Sequence, residues 1–314
     1  MRLHTIDYHA VQAEYETGTP AKFNSNFHTL QEAPDLCIPS NAPTAFERWI
    51  PLIMRSRGLP ENALQVVSLS PAQVRLIIEA AGASVHTREL NRAYAEDLDM
   101  EIRPAFTSLV FPPSGLFMRL SACSTKDGAR KKDGKISVCS PEEIVLQLTT
   151  SLRARTSLGN SLNAGHQHIN VFFLPFDERM RTDCEYRVFC MPDSLRITAV
   201  SQYRWHKPWI FAQYEEGEKI KIAQTVMREI ERIHRSILAD LRELGGDGDG
   251  LDGLLRRQGF TFDVFFDQGR ECCELIELNT FGVRSACGSC LFHWLEDRDL
   301  LYGGRDDVEF RVTQ

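Results

Sequence analysis

Two apolar segments joined by a short polar turn constrain this chain more than any other feature of its sequence. Residues 261–266 and 272–279 have the composition of antiparallel strands, and the turn between them contains a glycine. Because strand side chains alternate between two faces, Glu277 and Asn279 are expected to point in one direction. Whether Asp263 shares that face depends on the register of the hairpin, which the turn leaves open.

Asp263, Glu277 and Asn279 are therefore candidate ligands for a hard cation. Mg²⁺ binds oxygen atoms and usually takes one or two carboxylates together with phosphates and water. A simpler interpretation of the same residues is a polar strand end that faces solvent. The residues alone leave both interpretations open.

Length, charge and cysteine content limit the class of protein. The 314 residues, 43% of them hydrophobic, suffice for two domains or one elaborated domain. A formal net charge of -7 argues against a general nucleic-acid or acidic-membrane binder, so any phosphate site must be local. The chain shows neither a secretory signal pattern nor a stretch with the apolar length of a membrane span. With nine scattered cysteines, these features predict a soluble cytoplasmic protein without a membrane partner.

Hydrophobic periodicity and capping residues predict the other elements. Helices are expected at 45–57, 71–81, 141–155 and 219–244, and strands at 117–120, 168–174, 185–190, 195–201 and 308–313. A glycine-rich turn is expected at 245–250. The domains predicted from these elements are an N-terminal region that could bind a partner, a small subdomain with a basic lid loop, and a C-terminal subdomain with the metal site, at 1–104, 105–175 and 176–314.

Basic residues supply candidate phosphate contacts. Arg119 ends a short strand, and Lys126 follows in a loop with Gly128 and further basic residues, which is typical of a mobile lid over a polyphosphate. Arg187 lies in the middle of a strand, where its guanidinium could bind phosphate or pair with a carboxylate, here Glu185 or Glu277. The apolar strand at 170–174 could bind an adenine or simply belong to a core.

Three other patterns favour metal or redox sites less strongly. Residues 247–252 resemble the start of a calcium loop, but Gln258 stands where the bidentate glutamate would be. Cys287 and Cys290 have zinc or redox spacing without a second ligand pair, and the histidines at 166 and 168 lack a third ligand. The sequence contains no nucleophile motif of a serine hydrolase.

Taken in order, several segments resemble the cell-division-cycle-123 family, a branch of the ATP-grasp proteins that helps to assemble eukaryotic translation initiation factor two. The resemblance covers roughly residues 105 to 313. The segments that carry it are Phe117-Met-Arg-Leu-Ser-Ala-Cys-Ser-Thr-Lys-Asp-Gly128, Cys184-Glu-Tyr-Arg-Val-Phe-Cys190, Ala199-Val-Ser-Gln202, Phe262-Asp-Val-Phe265, Leu275-Ile-Glu-Leu-Asn-Thr-Phe-Gly282 and Leu291-Phe-His-Trp294.

The resemblance implies an α+β ATP-grasp fold that holds MgATP between the small and the C-terminal subdomains. Its phosphate and adenine contacts fall on Arg119, Ser121, Lys126, Asp127, Val171, Phe172, Phe173 and Arg187. Its magnesium ligands fall on Asp263, Glu277 and Asn279. Arg119 stands where the family has a lysine, and Leu174-Pro175-Phe176 stands where it tends to have Arg-Lys-Trp.

Two functions are compatible with this resemblance. The first is an ATP-binding assembly chaperone whose partner is the gamma subunit of translation initiation factor two. The alternative is an ATP-grasp ligase that activates a carboxylate or an RNA end as acyl-phosphate or adenylate, with Lys131 completing a positive ring; only this alternative would involve nucleic acid. In either case we expect Asp263→Ala to leave folding nearly intact and to abolish magnesium-dependent ATP binding.

Overall fold

The computed structural model describes residues 1–18, 21–130, 134–243 and 250–314. The chain divides into unit 1, residues 1–59 with 179–314, and unit 2, residues 60–178. These units differ from the domains expected from the sequence, which placed residues 1–104 in one N-terminal region. Residues 60–104 pair and pack with the later part of unit 2, whereas residues 1–59 pack with the C-terminal part of the chain. Lys131 and the glycine-rich turn up to Asp249, with the start of the calcium-like pattern, lie outside the described residues.

The regular elements alternate along the chain. The strands are β1 Arg2–Ile6, β2 Gln65–Leu69, β3 Leu116–Leu120, β4 Ile169–Pro175, β5 Glu185–Cys190, β6 Ile197–Gln202, β7 Phe260–Asp267, β8 Cys272–Thr280 and β9 Glu309–Thr313. The α-helices are α1 Tyr8–Glu16, α2 Phe46–Arg57, α3 Pro71–Thr87, α4 Ala95–Asp97, α5 Pro141–Thr150, α6 Leu152–Asn163, α7 Glu216–Glu243, α8 Leu251–Gln258 and α9 Arg298–Leu301.

Unit 1 contains a six-stranded mixed sheet in the order β1-β9-β6-β5-β7-β8. Strand β9 pairs in parallel with both β1 and β6, and the remaining pairs are antiparallel. One row of in-register side chains is entirely apolar and lies on one face of this sheet; it consists of Phe310, Val200, Val188, Phe262 and Leu278. The hairpin predicted from residues 261–266 and 272–279 is thus confirmed, and it lies at the β8 edge of the sheet.

Helix α7 covers the apolar face of the unit 1 sheet. Its buried side chains recur every three or four residues and include Val226, Ile230, Ile233 and Ile237, as the hydrophobic spacing predicted. The ring of His234 stacks on Phe262 from this helix, with 6.3 Å between the ring centroids. The other face carries both polar side chains and apolar ones, among them Phe189 and Ala199.

Unit 2 is built on a three-stranded antiparallel sheet in the order β2-β4-β3, with helices α3, α5 and α6. The helix predicted at 141–155 is two helices, because the backbone of Ser151 is extended and its side chain caps α6 by accepting from the Ala154 amide. Strands β1 and β2 were not predicted. Both are five residues long and mix two or three apolar residues with polar ones, so periodicity alone gives little signal.

Candidate functional site

A row of polar side chains crosses the unit 1 sheet opposite the apolar row. In-register pairing places Arg187 of β5 directly beside Asp263 of β7, and Asp263 beside Glu277 of β8. The row continues on the other side of Arg187 through Ser201 of β6 to Arg311 of β9. Side chains of in-register neighbours lie on the same face, so residues distant in the sequence are brought together here.

A β-bulge settles the register that the turn left open. Asp263 pairs with Glu277, whereas the next residue, Val264, pairs with Leu275, so Ile276 is an extra residue in β8. In a regular strand Leu275 and Glu277 would lie on the same face, because they are two residues apart. The extra residue instead places Leu275 on the apolar face and Glu277 on the polar face. Asp263 therefore shares a face with both other candidate ligands.

The three candidate ligands are in direct contact. The Asn279 amide nitrogen lies 3.2 Å from Asp263 Oδ2 and 3.4 Å from Glu277 Oε1, so one polar group bridges the two carboxylates. Asp263 is buried, while Glu277 and Asn279 are half-buried. Two carboxylates and an amide within this distance match the oxygen donor set that Mg²⁺ takes, so the residues fit the ion chemically.

Arg187 is bound to Asp263 rather than to Glu185 or Glu277, the carboxylates suggested from the sequence. Its Nε and Nη2 atoms donate to the two oxygens of Asp263 at 2.8 and 2.7 Å, and only 7% of its side chain is exposed. Burial alone would lower the pKa of the guanidinium, but the Asp263 carboxylate holds that pKa well above its usual value. The face of the Tyr203 ring lies 5.0 Å from the same guanidinium. Arg187 thus balances one charge of the candidate metal site.

The segment 281–294 is fixed over this polar face by the arginines of the row. Arg187 Nη1 donates to the Gly288 carbonyl at 2.6 Å, and Arg311 Nη1 donates to the Leu291 carbonyl at 3.1 Å. The Leu291 amide donates in turn to Ser201 Oγ. Sequence reasoning missed Ser201 and Arg311, because β6 and β9 contain other polar residues and neither position stands out.

The two cysteines of the same segment are buried free thiols. Burial raises the pKa of Cys287 to about 11 and that of Cys290 to about 12, so both stay protonated and unreactive at neutral pH. His166 and His168 are exposed. Within the described residues, no group of three or more His, Cys, Asp or Glu side chains could hold a metal ion, so the candidate site depends on the amide of Asn279 as its third ligand.

The three residues proposed for adenine point to different sides of unit 2. Val171 and Phe173 belong to the core of this unit, whereas Phe172 faces the other side together with Arg119, its in-register partner. Because β4 is the central strand, the backbone of all three residues lies between ladders to β2 and β3. Only Phe172 can therefore contribute a side chain to the face that carries Arg119.

The loop after β3 is held by neighbouring helices. Asp127 accepts hydrogen bonds from Ser151 Oγ at 2.6 Å and from the Arg153 amide at 3.1 Å, both in the first turn of α6. An added Cβ on Gly128 would lie 2.9 Å from the Gln147 carbonyl oxygen of α5, so the loop runs against that helix. Residues 121–130 are thus hydrogen-bonded to α5 and α6, and the lid role expected from the sequence stays a prediction.

Arg119 and the remaining loop residues have different surroundings. The Arg119 side chain is buried, and its Nε donates to the Leu120 carbonyl at 3.3 Å. Ser121 and Lys126 are half-buried. Cys123 lies close enough to Arg119 and Arg153 that their charges lower its pKa, although burial raises it overall.

None of the helices in the described residues is long and apolar enough to cross a membrane.

Comparison of the chain with protein-family models and with curated protein sequences gave no match. Comparison with solved structures did give matches. Cdc123 from Schizosaccharomyces pombe aligns with a TM-score of 0.57 and 19% identity, over 89% of this chain and 99% of that one. A C-terminally truncated form of the same protein aligns with a TM-score of 0.58 and 18% identity, over the same shares. The chain therefore shares the fold of Cdc123, an α+β fold of the ATP-grasp type.

Proposed function

We propose that this protein binds MgATP and acts as a cytoplasmic assembly chaperone for translation initiation factor two, with the gamma subunit as its partner. The observation that carries the nucleotide proposal is the contact of Asp263, Glu277 and Asn279 on one face of the unit 1 sheet. The Cdc123 fold supports the choice of partner. A sheet face that was merely solvated would not need a buried arginine held against a buried carboxylate.

Each residue has a distinct part in this proposal. Asp263, Glu277 and Asn279 hold Mg²⁺, which when bound neutralises phosphate charge. Arg187 orients the Asp263 carboxylate through two hydrogen bonds. In unit 2, Arg119 and Lys126 supply positive charge for phosphates, with Ser121 as a neutral donor and Phe172 as an apolar surface for the base.

Calorimetric titration of ATP with and without Mg²⁺ tests the nucleotide part. Glu277→Gln removes one negative oxygen from a half-buried position, so we expect little loss of stability and at least about a tenfold loss of magnesium-dependent affinity. Glu271→Gln is the matched control, because Glu271 is an exposed acid at the turn of the same hairpin. Equal magnesium dependence in wild type and Glu277→Gln would contradict the metal assignment.

A binding assay with the isolated gamma subunit tests the partner. We expect capture of the subunit by the full chain, and weaker capture by Glu277→Gln than by Glu271→Gln when MgATP is present. Failure of the wild-type chain to capture the subunit under any nucleotide condition would defeat the chaperone part while leaving the nucleotide part standing.

A further inference from the structure

The N-terminal part of unit 1 runs along the segment 281–294 and is hydrogen-bonded to it. The Asn24 amide donates to the Cys290 carbonyl at 2.7 Å, and the Cys290 amide donates back to Asn24 Oδ1 at 3.2 Å. One residue further on, Ser25 Oγ accepts from the Trp294 amide at 2.8 Å. These bonds join chain regions more than 260 residues apart, which local sequence patterns cannot reveal.

Asn24 also fills the space beside Gly288. A Cβ added at Gly288 would lie 2.3 Å from Asn24 Oδ1, closer than real Cβ contacts. Gly288 lies outside the left-handed region, so the requirement for glycine comes from Asn24 and not from the backbone angles. Asn24 itself has a φ of 50°, which asparagine adopts more readily than most side chains.

Gly288 is hydrogen-bonded to the Arg187 guanidinium, which also binds the candidate metal ligand Asp263. Arg187 Nη1 donates to the Gly288 carbonyl at 2.6 Å, while its Nε and Nη2 atoms bind Asp263. The guanidinium is rigid and planar, so a displacement of the Gly288 carbonyl must tilt the plane that fixes the Asp263 carboxylate. A continuous series of contacts therefore runs from Asn24 to a proposed magnesium ligand.

We infer that Asn24 is a positioning residue, which acts through Gly288 and Arg187 to orient Asp263 and so to set the metal affinity of the site. The inference rests on the proposed function for the identity of the metal. The series of contacts from Asn24 to Asp263 is independent of the proposed function and can be tested without nucleotide. Asn24 lies in none of the segments that resemble a known family.

The test compares three variants of the full chain. Gly288→Ala pushes against Asn24, Asn24→Gly removes the carboxamide while keeping a residue that tolerates the left-handed backbone, and the double variant removes the collision. Ile237→Val, on the opposite face of the sheet, is the control for a general loss of stability. If Gly288→Ala does not fold, the double variant still reports whether Asn24 was the obstacle.

The first measurement is the NMR signal of the Arg187 Nε–H group in the absence of nucleotide. We expect it to shift in Gly288→Ala, to return towards the position of Asn24→Gly in the double variant, and to stay unchanged in Ile237→Val. An unchanged signal in Gly288→Ala, or a double variant no closer to Asn24→Gly, overturns the inference. This arm decides the inference even if the wild-type chain binds no ATP, a result that would defeat the proposed function alone.

The second measurement is the magnesium dependence of ATP affinity. We expect about a tenfold loss in Gly288→Ala, the lower end of what removal of an outer-shell partner costs a metal site, and recovery in the double variant to within about threefold of Asn24→Gly. A merely structural role would weaken ATP binding equally with and without Mg²⁺, and would weaken it in Ile237→Val as well. Either of those results overturns the inference.

Discussion

The polar face of the unit 1 sheet and the loop after β3 in unit 2 both contain charged residues that the sequence marked as candidates, yet the structure uses them differently. On the sheet, Asp263 and Glu277 come from neighbouring strands and are bridged by one amide. In the loop, Asp127 accepts hydrogen bonds from residues at the start of α6. A strand position is fixed by its ladder, whereas a polar loop residue first satisfies the backbone groups nearest to it.

This difference separates residues available for ligands from residues engaged in the fold. Glu277 and Asn279 are half-buried at the edge of the sheet, so they can exchange a contact between themselves for a contact with an ion. If the Asp127 side chain moved to bind a ligand, the Arg153 amide in the first turn of α6 would lose its hydrogen-bond acceptor. Asp263 combines both situations, because it belongs to the candidate site and also neutralises a buried arginine.

The largest effect is expected from Asp263→Ala. Removing this carboxylate leaves the buried Arg187 guanidinium without its charge partner, and breaking a buried ion pair costs about 3–5 kcal/mol. This prediction replaces the sequence-based expectation that folding would stay nearly intact, because the structure shows that both partners are buried. Urea unfolding followed by tryptophan fluorescence measures the cost, because Trp49, Trp205, Trp209 and Trp294 all lie in unit 1.

The double variant Arg187→Met, Asp263→Leu is the control for this prediction. Replacing both charges with apolar side chains leaves no unpaired charge, so its stability should exceed that of Asp263→Ala even though two contacts are lost. A double variant less stable than Asp263→Ala would mean that packing, and not charge, dominates at this position. Both variants should lose magnesium-dependent ATP binding.

The sequence predicted the long elements for identifiable reasons, and it marked three candidate ligands whose metal-binding role stays a prediction. The apolar spacing of α7 corresponds to burial of one helix face, and the apolar segments 261–266 and 272–279 form strands β7 and β8, as the structure confirms, although β7 is buried on both faces. The sequence could not predict that Asp263 faces Glu277, because that depends on one extra residue at Ile276. It could not predict Asn24 at all, because its role arises from contacts with a segment at the other end of the chain.

A smaller effect is expected from Asp127→Ala in the loop of unit 2. This variant leaves the Arg153 amide and the Ser151 hydroxyl without their partner, and loss of a helix-capping group costs about 1 kcal/mol. Thermal unfolding followed by circular dichroism at 222 nm measures it. Asp127→Asn, which keeps an acceptor oxygen, should recover most of the loss, whereas equal destabilisation of the two variants would mean that the negative charge of Asp127, and not its hydrogen bonds, stabilises this loop.

The last prediction concerns the pH dependence of the stability of unit 1 and the side chain of His293. Its Nδ1 accepts from the Glu296 amide at 3.1 Å, and the ring of His28 lies 5.1 Å away. Burial lowers the pKa of His293 below its ordinary value of 6.5, and His28 lowers it further, against the carboxylates of Glu296, Asp297 and Glu14. A lowered pKa in the folded state means that the unfolded chain takes up this proton first, so unit 1 loses stability as the pH falls through about 6.5.

We therefore expect the urea midpoint read by tryptophan fluorescence to be lower at pH 5.5 than at pH 7.5. Burial also lowers the pKa of His234, which acts in the same direction, so the contribution of His293 is the difference between wild type and His293→Gln. The variant should show the shallower dependence on pH. If the urea midpoint depended on pH identically in wild type and His293→Gln, the proton that destabilises unit 1 would be taken up by another group.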